Sequence, residues 1–227
     1  MSLRRAIADS VRVGDLALVI GGDCPVLLGC LTGAGDIVGD VGLLFVDGHE
    51  DAWPPASSTT GEAADCELGL ALGLHRDNLP VGFTQLLPTL DPRAVVALGP
   101  RDAEELAVHE IPSITNMITF RTAEDLGTTL ASAASSAAEA TARIRSNTEH
   151  WWLHLDLDVL STEALPAVDY PQPDGLSWAQ LEALTTTALG APGCVGITLC
   201  IYNPDLDPDG RHALPISDLV AEMCAQR

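Results

Sequence analysis

Three short stretches of this sequence place side chains able to hold a metal at the ends of apolar runs. They are Val19-Ile20-Gly21-Gly22-Asp23-Cys24, Leu44-Phe45-Val46-Asp47-Gly48-His49-Glu50-Asp51 and Leu153-His154-Leu155-Asp156-Leu157-Asp158. In an extended chain residues i, i+2 and i+4 share a face, so Asp47, His49 and Asp51 are expected to converge, as are Asp156 and Asp158. Carboxylates drawn that close repel one another and take up protons unless a cation lies between them. One or two divalent ions held by Asp and His resolve the conflict. A single acidic residue at a strand end is ordinarily a cap or turn residue. Two same-face sets that both end apolar runs point instead to a metal site. His154, between Leu153 and Leu155, is expected to face away from Asp156 as a satisfied core histidine.

The elements that must position these residues alternate. Apolar runs predict buried strands at Leu16–Ile20, Leu43–Val46, Val95–Leu98, Ile114–Ile118, Trp152–Leu157 and Val195–Ile201. Helical spacing covers Arg4–Arg12, Cys24–Leu31, Ala64–Leu74, Arg101–Val108, Ala123–Ile144, Leu176–Ala188 and Pro215–Cys224. Strand-helix alternation predicts an α/β fold with three layers, α/β/α, around a mostly parallel sheet. Ligands of such sheets gather outside the carboxyl ends of the strands, where the three motifs end. No repeat or linker divides the chain, so residues 1–227 are expected to form one domain.

Composition narrows the chemistry. The 227 residues include 32 acidic and 11 basic side chains, for a net charge of -21. Every basic residue is Arg, which excludes lysine Schiff bases and Walker-type phosphate lysines. The acidity argues against nucleic-acid and anionic membrane partners. No apolar run approaches the roughly 20 residues needed to cross a bilayer. The six Cys form no C-x-x-C pair, as expected for reduced thiols in a cytoplasmic protein.

Taken in order, Gly21-Gly22-Asp23-Cys24, Asp47-Gly48-His49-Glu50-Asp51 and Asp156-Leu157-Asp158 resemble the signature of the arginase/ureohydrolase superfamily, including agmatinases and formiminoglutamases. Gly99-Pro100-Arg101-Asp102, Pro166-Ala167-Val168, Gly175-Leu176-Ser177 and Tyr202-Asn203-Pro204 resemble further stretches of it. The resemblance implies an arginase-like fold and a centre of two divalent metals, usually Mn²⁺. It also implies hydrolysis of a guanidino, formimino or amide C–N bond of a small substrate through a metal-activated hydroxide, in a homo-oligomer (trimer or hexamer). Cys24, Asp47, His49, Asp51, Asp156 and Asp158 are the implied metal ligands. Asp51 and Glu62 are the candidate catalytic carboxylates, and Trp53 and Glu104 the candidate substrate contacts.

Four departures stand out. Cys24 occupies the place of a family histidine ligand, and a thiolate suits Zn²⁺ or Fe²⁺ better than Mn²⁺. A mononuclear site is therefore a second expectation. Ile201 replaces the carboxylate that binds a guanidinium, which disfavours arginine or agmatine as substrate. No histidine follows the second motif as a proton shuttle, leaving Glu62, Asp65 or Glu67 as substitutes. Only 20 residues precede Gly21, so the family's usual first strand and helix are expected to be absent, or the chain to be an incomplete copy. Two rivals remain: a mononuclear zinc amidohydrolase or deacetylase on this fold, and a catalytically silent binding or assembly protein.

Overall fold

The computed structural model describes residues 2–226, leaving Met1 and Arg227 outside the described residues. Its centre is a sheet of six strands: β1 (Ala17–Ile20), β2 (Val41–Val46), β3 (Val95–Gly99), β4 (Thr119–Thr122), β5 (His150–Asp156) and β6 (Cys194–Cys200). They lie in the order β1-β6-β5-β2-β3-β4, and every pairing is parallel. The chain steps outward from β2 to β4 and then returns to β5 on the other side of β2. The carboxyl ends of β2 and β5 therefore meet where the winding reverses, the place where such sheets leave a crevice.

Helices cover both faces. They are α1 (Leu3–Val13), α2 (Val26–Val38), α3 (Glu67–Ala71), α4 (Val81–Thr84), α5 (Ala103–Val108), α6 (Ala123–Leu126), α7 (Leu130–Arg145), α8 (Trp178–Leu189) and α9 (Ala213–Ala225). One core packs α1, α2 and α3 against Leu43, Phe45, Ala97 and Trp152. The other packs α6, α7, α8 and α9 against Leu44, Val46, Leu153 and Leu199. β2 and β3 are buried at every position, as central strands covered on both sides must be. The result is a three-layer α/β/α arrangement. Among the described residues no helix is long and apolar enough to cross a membrane.

Two expected elements shift. The run Ile114–Ile118 is a turn, and the strand follows it at β4. Ile114 and Ile118 are buried anchors at 2% and 9% exposure, so hydrophobicity there reports burial and not extension. The helix expected over Ala123–Ile144 is broken. Gly127 adopts φ 68°, and Thr129 opens α7 with a capping box shared with Ser132.

Gly196 on β6 lies under the indole of Trp152, and a Cβ at that position would overlap the ring. Gly196→Ala is expected to destabilise the protein by about 1–3 kcal/mol. The check is a lower urea midpoint with an unchanged denaturant slope.

Candidate metal centre

β2 stops at Val46, and residues 47–51 leave the sheet as an irregular bend. Asp51 adopts φ 43°, in the left-handed region. Asp47, His49 and Asp51 are thus gathered by a turn of the chain, and not by strand alternation. The His49 N–H donates to Asp47 Oδ1 at 2.7 Å, closing the bend. Asp156 is the last residue of β5, and Asp158 lies in the 3₁₀ turn Leu157–Val159. There the Asp158 N–H donates to Asp156 Oδ1 at 2.6 Å.

The two endings are stitched together. The Gly48 N–H donates to Asp158 Oδ1 at 2.9 Å. A Cβ on Gly48 would lie 2.7 Å from Arg101 Nη1 and 2.9 Å from Asp158 Oδ1, so only glycine permits this approach. Arg101, just beyond β3, donates from Nη2 to the carbonyl of Asp158 at 2.7 Å and from Nε to that of Pro173 at 2.9 Å. Its guanidinium clamps the turn bearing Asp158 to the loop that follows. Glu50 turns away from the bend and accepts from Ser113 Oγ and the Ile114 N–H.

The side chains form two groups of potential donor atoms, each with all its atoms within 4.8 Å of one another. One is Asp47, His49 and Asp158; the other is Cys24, Asp47, Glu67 and His154. In the first, His49 Nδ1 lies 2.8 Å from Asp158 Oδ2, and Gln172 Nε2 lies 2.9 Å from His49 Nε2. A flip of the Gln172 amide presents its oxygen to an Nε2–H and frees the Nδ1 lone pair for an ion. Alongside, the Cys24 thiol donates to Asp156 Oδ2 at 2.7 Å. Asp47 Oδ2 and His154 Nε2 are buried without hydrogen-bond partners, and the buried Glu67 carboxyl bonds to that of Asp51. Orphaned acceptors of this kind, converging with a thiol and an imidazole, fit a divalent cation by donor type and spacing.

Burial and the crowding of like charges set the protonation of the cluster. Burial, then the charges of Asp51 and Asp158, hold the Asp47 carboxyl well above the usual range. Burial raises Asp51, Glu67 and Asp156 in the same way, with neighbouring carboxylates adding to it. Asp158 is the exception: burial pushes it up, but the charge and hydrogen bond of His49 outweigh that and leave it low. His49 is correspondingly raised, because Asp158 overcomes the opposing effect of burial. His154, fully buried, is pulled down to about 3. Burial lifts Asp102 to about 6.

The cluster opens through a cleft of about 60 Å³ lined in part by Cys24, His49, Asp51, Trp53, Asp158 and Ile201. Trp53 packs its ring 5.2 Å from that of His109 at the rim. Ile201 sits at φ 72°, unusual for a β-branched residue, with its N–H donating to the carbonyl of Gly22. Tyr202 bridges to Val168, and the Asn203 N–H donates to Ala167 O, so two of the family-like stretches pair with each other.

The structure brings Cys24, Asp47, His49, Asp51, Asp156 and Asp158 to one place. Glu62 is exposed and accepts from Tyr170 at the cleft, away from the carboxylate cluster. Glu104 is exposed on α5, and its neighbour Glu105 lines the cleft instead. His154 corrects the sequence expectation. It shares strand parity, and hence a face, with Asp156, and its Nε2 lies 3.9 Å from Asp47 Oδ2. Sequence reasoning also missed Gln172, which loop packing alone brings to His49. Glu67 it treated as a proton carrier, whereas the residue is wholly buried in the cluster.

Comparison with known proteins bears on the family and the fold. A model of the arginase family matches residues 1–225. The chain is 29% identical to an arginase of Brevibacillus brevis over 214 residues, covering 93% of this chain and 69% of that one. It is 26% identical to N(omega)-hydroxy-L-arginine amidinohydrolase of Streptomyces lavendulae, covering 97% of this chain and 74% of the relative. The crystal structure of arginase from Bacillus cereus superposes with a TM-score of 0.83 at 24% identity, over 97% of this chain and 75% of that one.

The raised carboxyls fix the sign of a pH effect. Without metal, their stabilising protonated forms are fully present below the unfolded carboxylate pKa of about 4 and are lost as pH rises through the folded values. Metal binding displaces those protons, so apparent affinity for Mn²⁺ or Zn²⁺ is expected to rise with pH. The slope is about tenfold per pH unit for each proton released. Calorimetry in two buffers of different ionisation enthalpy counts the protons; an affinity constant from about pH 5 to 8 would contradict the arrangement.

Proposed function

The chain belongs to the arginase family, and on that footing we propose that it is a metal-dependent hydrolase cleaving a C–N bond of a small molecule. One observation carries the reading: two donor groups sharing Asp47, with buried acceptors that no protein group satisfies, open to a cleft at the sheet's switch point. Asp47, His49, Asp51, Asp156, Asp158 and Cys24 are the residues that would hold one or two divalent ions. Family resemblance favours Mn²⁺, and Cys24 favours Zn²⁺ or Fe²⁺. When bound, such a cation lowers the pKa of a water and polarises the bond to be broken.

The chain's own residues do the rest. Gln172, with its amide oxygen turned to the Nε2–H, would set the orientation and tautomer of His49. Arg101 holds the turn that carries Asp158, so that carboxylate is positioned before any substrate arrives. In this reading Asp51, which lines the cleft and would be ionised beside a bound cation, takes a proton from a reacting water and passes it on. Trp53 and Ile201 give the cleft apolar wall, and Ile201 offers no charge to a guanidinium. A neutral amide, or a formimino group with fewer N–H donors than a guanidinium, suits that wall better than arginine. The same reading takes residues 1–227 as one catalytic domain working in the cytoplasm as a homo-oligomer.

A panel of guanidino, formimino and amide compounds, assayed with Mn²⁺- and Zn²⁺-loaded protein for amine, urea or ammonia release, tests the proposal. Turnover of a formimino or amide compound in preference to arginine is expected, with Asp158→Asn lowering kcat/KM roughly 100-fold or more. Ile201→Glu is expected to shift preference toward guanidino compounds. A metal-loaded protein that turns over nothing in the panel would sink the reading.

A further inference from the structure

The group formed by Cys24, Asp47, Glu67 and His154 contains more than the three ordered motifs supply. Cys24 and Asp47 belong to those motifs, whereas Glu67 opens α3 and His154 lies within β5. The four side chains are 0–1% exposed, and their donor atoms lie within 4.8 Å of one another. Asp47 Oδ2 and Nε2 of His154 have no hydrogen-bond partner, and the buried Glu67 carboxyl bonds to another acid, that of Asp51. Leaving a buried polar group unsatisfied costs about 1–3 kcal/mol, and more where it is charged. Arg101 does not relieve them: its Nε and Nη2 are engaged by backbone carbonyls, and its buried Nη1 makes no hydrogen bond to any of them.

Local structure prepares the imidazole for ligation. His154 stacks on Phe45 with ring centroids 5.0 Å apart, which fixes the ring plane. Its Nδ1 lies 2.7 Å from Thr198 Oγ1, to which the Trp152 indole N–H also donates. With Nδ1–H donating to the same oxygen, the Nε2 lone pair points toward Asp47, the tautomer a metal requires. α3 brings Glu67 into the same group. One thiolate, one imidazole and two carboxylates make the four-donor set of a tetrahedral zinc site, and the sulfur disfavours Mn²⁺ and Mg²⁺.

We propose that Glu67 and His154 join Cys24 and Asp47 as ligands of a self-contained Zn²⁺ site, separate from the position built by His49 and Asp158 and sharing only Asp47 with it. This rests on reading this end of the sheet as a metal centre. Glu67 and His154 thereby complete a coordination shell in which a softer ligand stands where relatives carry histidine. The two positions then differ in preference: the inner takes a thiophilic ion, and the outer a harder one.

Metal-stripped full-length protein titrated with Co²⁺ tests this. The expected result is an ultraviolet thiolate-to-cobalt charge-transfer band, displaced by Zn²⁺ and retained in Asp158→Asn. X-ray absorption of the zinc form is expected to show one sulfur at about 2.3 Å among lighter ligands. Glu67→Gln, which keeps the side chain's shape, and His154→Gln are each expected to weaken Zn²⁺ binding at least tenfold or so. Zinc or manganese binding with no thiolate signature, or with both folded variants matching the parent, overturns this site while leaving the metal-centre reading intact. A parent chain that binds no divalent ion overturns both.

Discussion

Mutual repulsion among buried carboxyl groups is the constraint around which this molecule is organised. Asp47, Asp156, Asp158 and Glu67 are each 0–3% exposed at one end of the sheet. Like charges at that depth are tolerated only if protons or a cation screen them. The protein alone neutralises part of the set, through His49 at Asp158, bonds Asp156 through the Cys24 thiol and the Asp158 N–H, and leaves Asp47 Oδ2 without a partner. The cluster is therefore a place where the fold gives up stability, which a bound cation would restore.

Holding repelling groups together requires a rigid surround, and the sheet provides it. β2 and β5 are neighbours in register, so Asp47 and Asp156 leave the sheet side by side. Beyond the strands the positioning is done by backbone: the Gly48 N–H, the turn N–H groups of His49 and Asp158, and the carbonyls that Arg101 gathers. Arg101 thus acts as a structural tie in a region where its charge might suggest substrate binding. Helices on both faces exclude water from the strands but leave the cleft open above them.

Much of this was legible in the sequence, because the ordered motifs each end an apolar run and the runs alternate with helical spacing. The parallel α/β architecture and the convergence of Cys24, Asp47, His49, Asp51, Asp156 and Asp158 follow from that pattern. The reasons were less legible. Asp51 reaches the site through a left-handed bend, which period-two alternation does not describe. His154 shares parity with Asp156, so its placement was available from spacing, yet two flanking leucines suggested a core residue. Glu67 heads a helix of five residues, too short to show a periodic face, and its only local signal was a charge at the start of an apolar run. Gln172 and Tyr170 arrive on a long loop whose path depends on contacts distant in sequence, the kind of information a local pattern lacks.

Ile201 shows how the backbone here constrains more than shape. A β-branched side chain at φ 72° carries conformational strain of about 1–3 kcal/mol, sustained by the anchored N–H and the pairing of the next residues. Because the main chain sets the direction, whatever side chain stands there is presented to the cleft. The position behaves as a socket, in which chemistry can be exchanged without rebuilding the frame. Asn or Gly would sit in that socket more comfortably than Ile, so relaxing it trades apolar wall for stability.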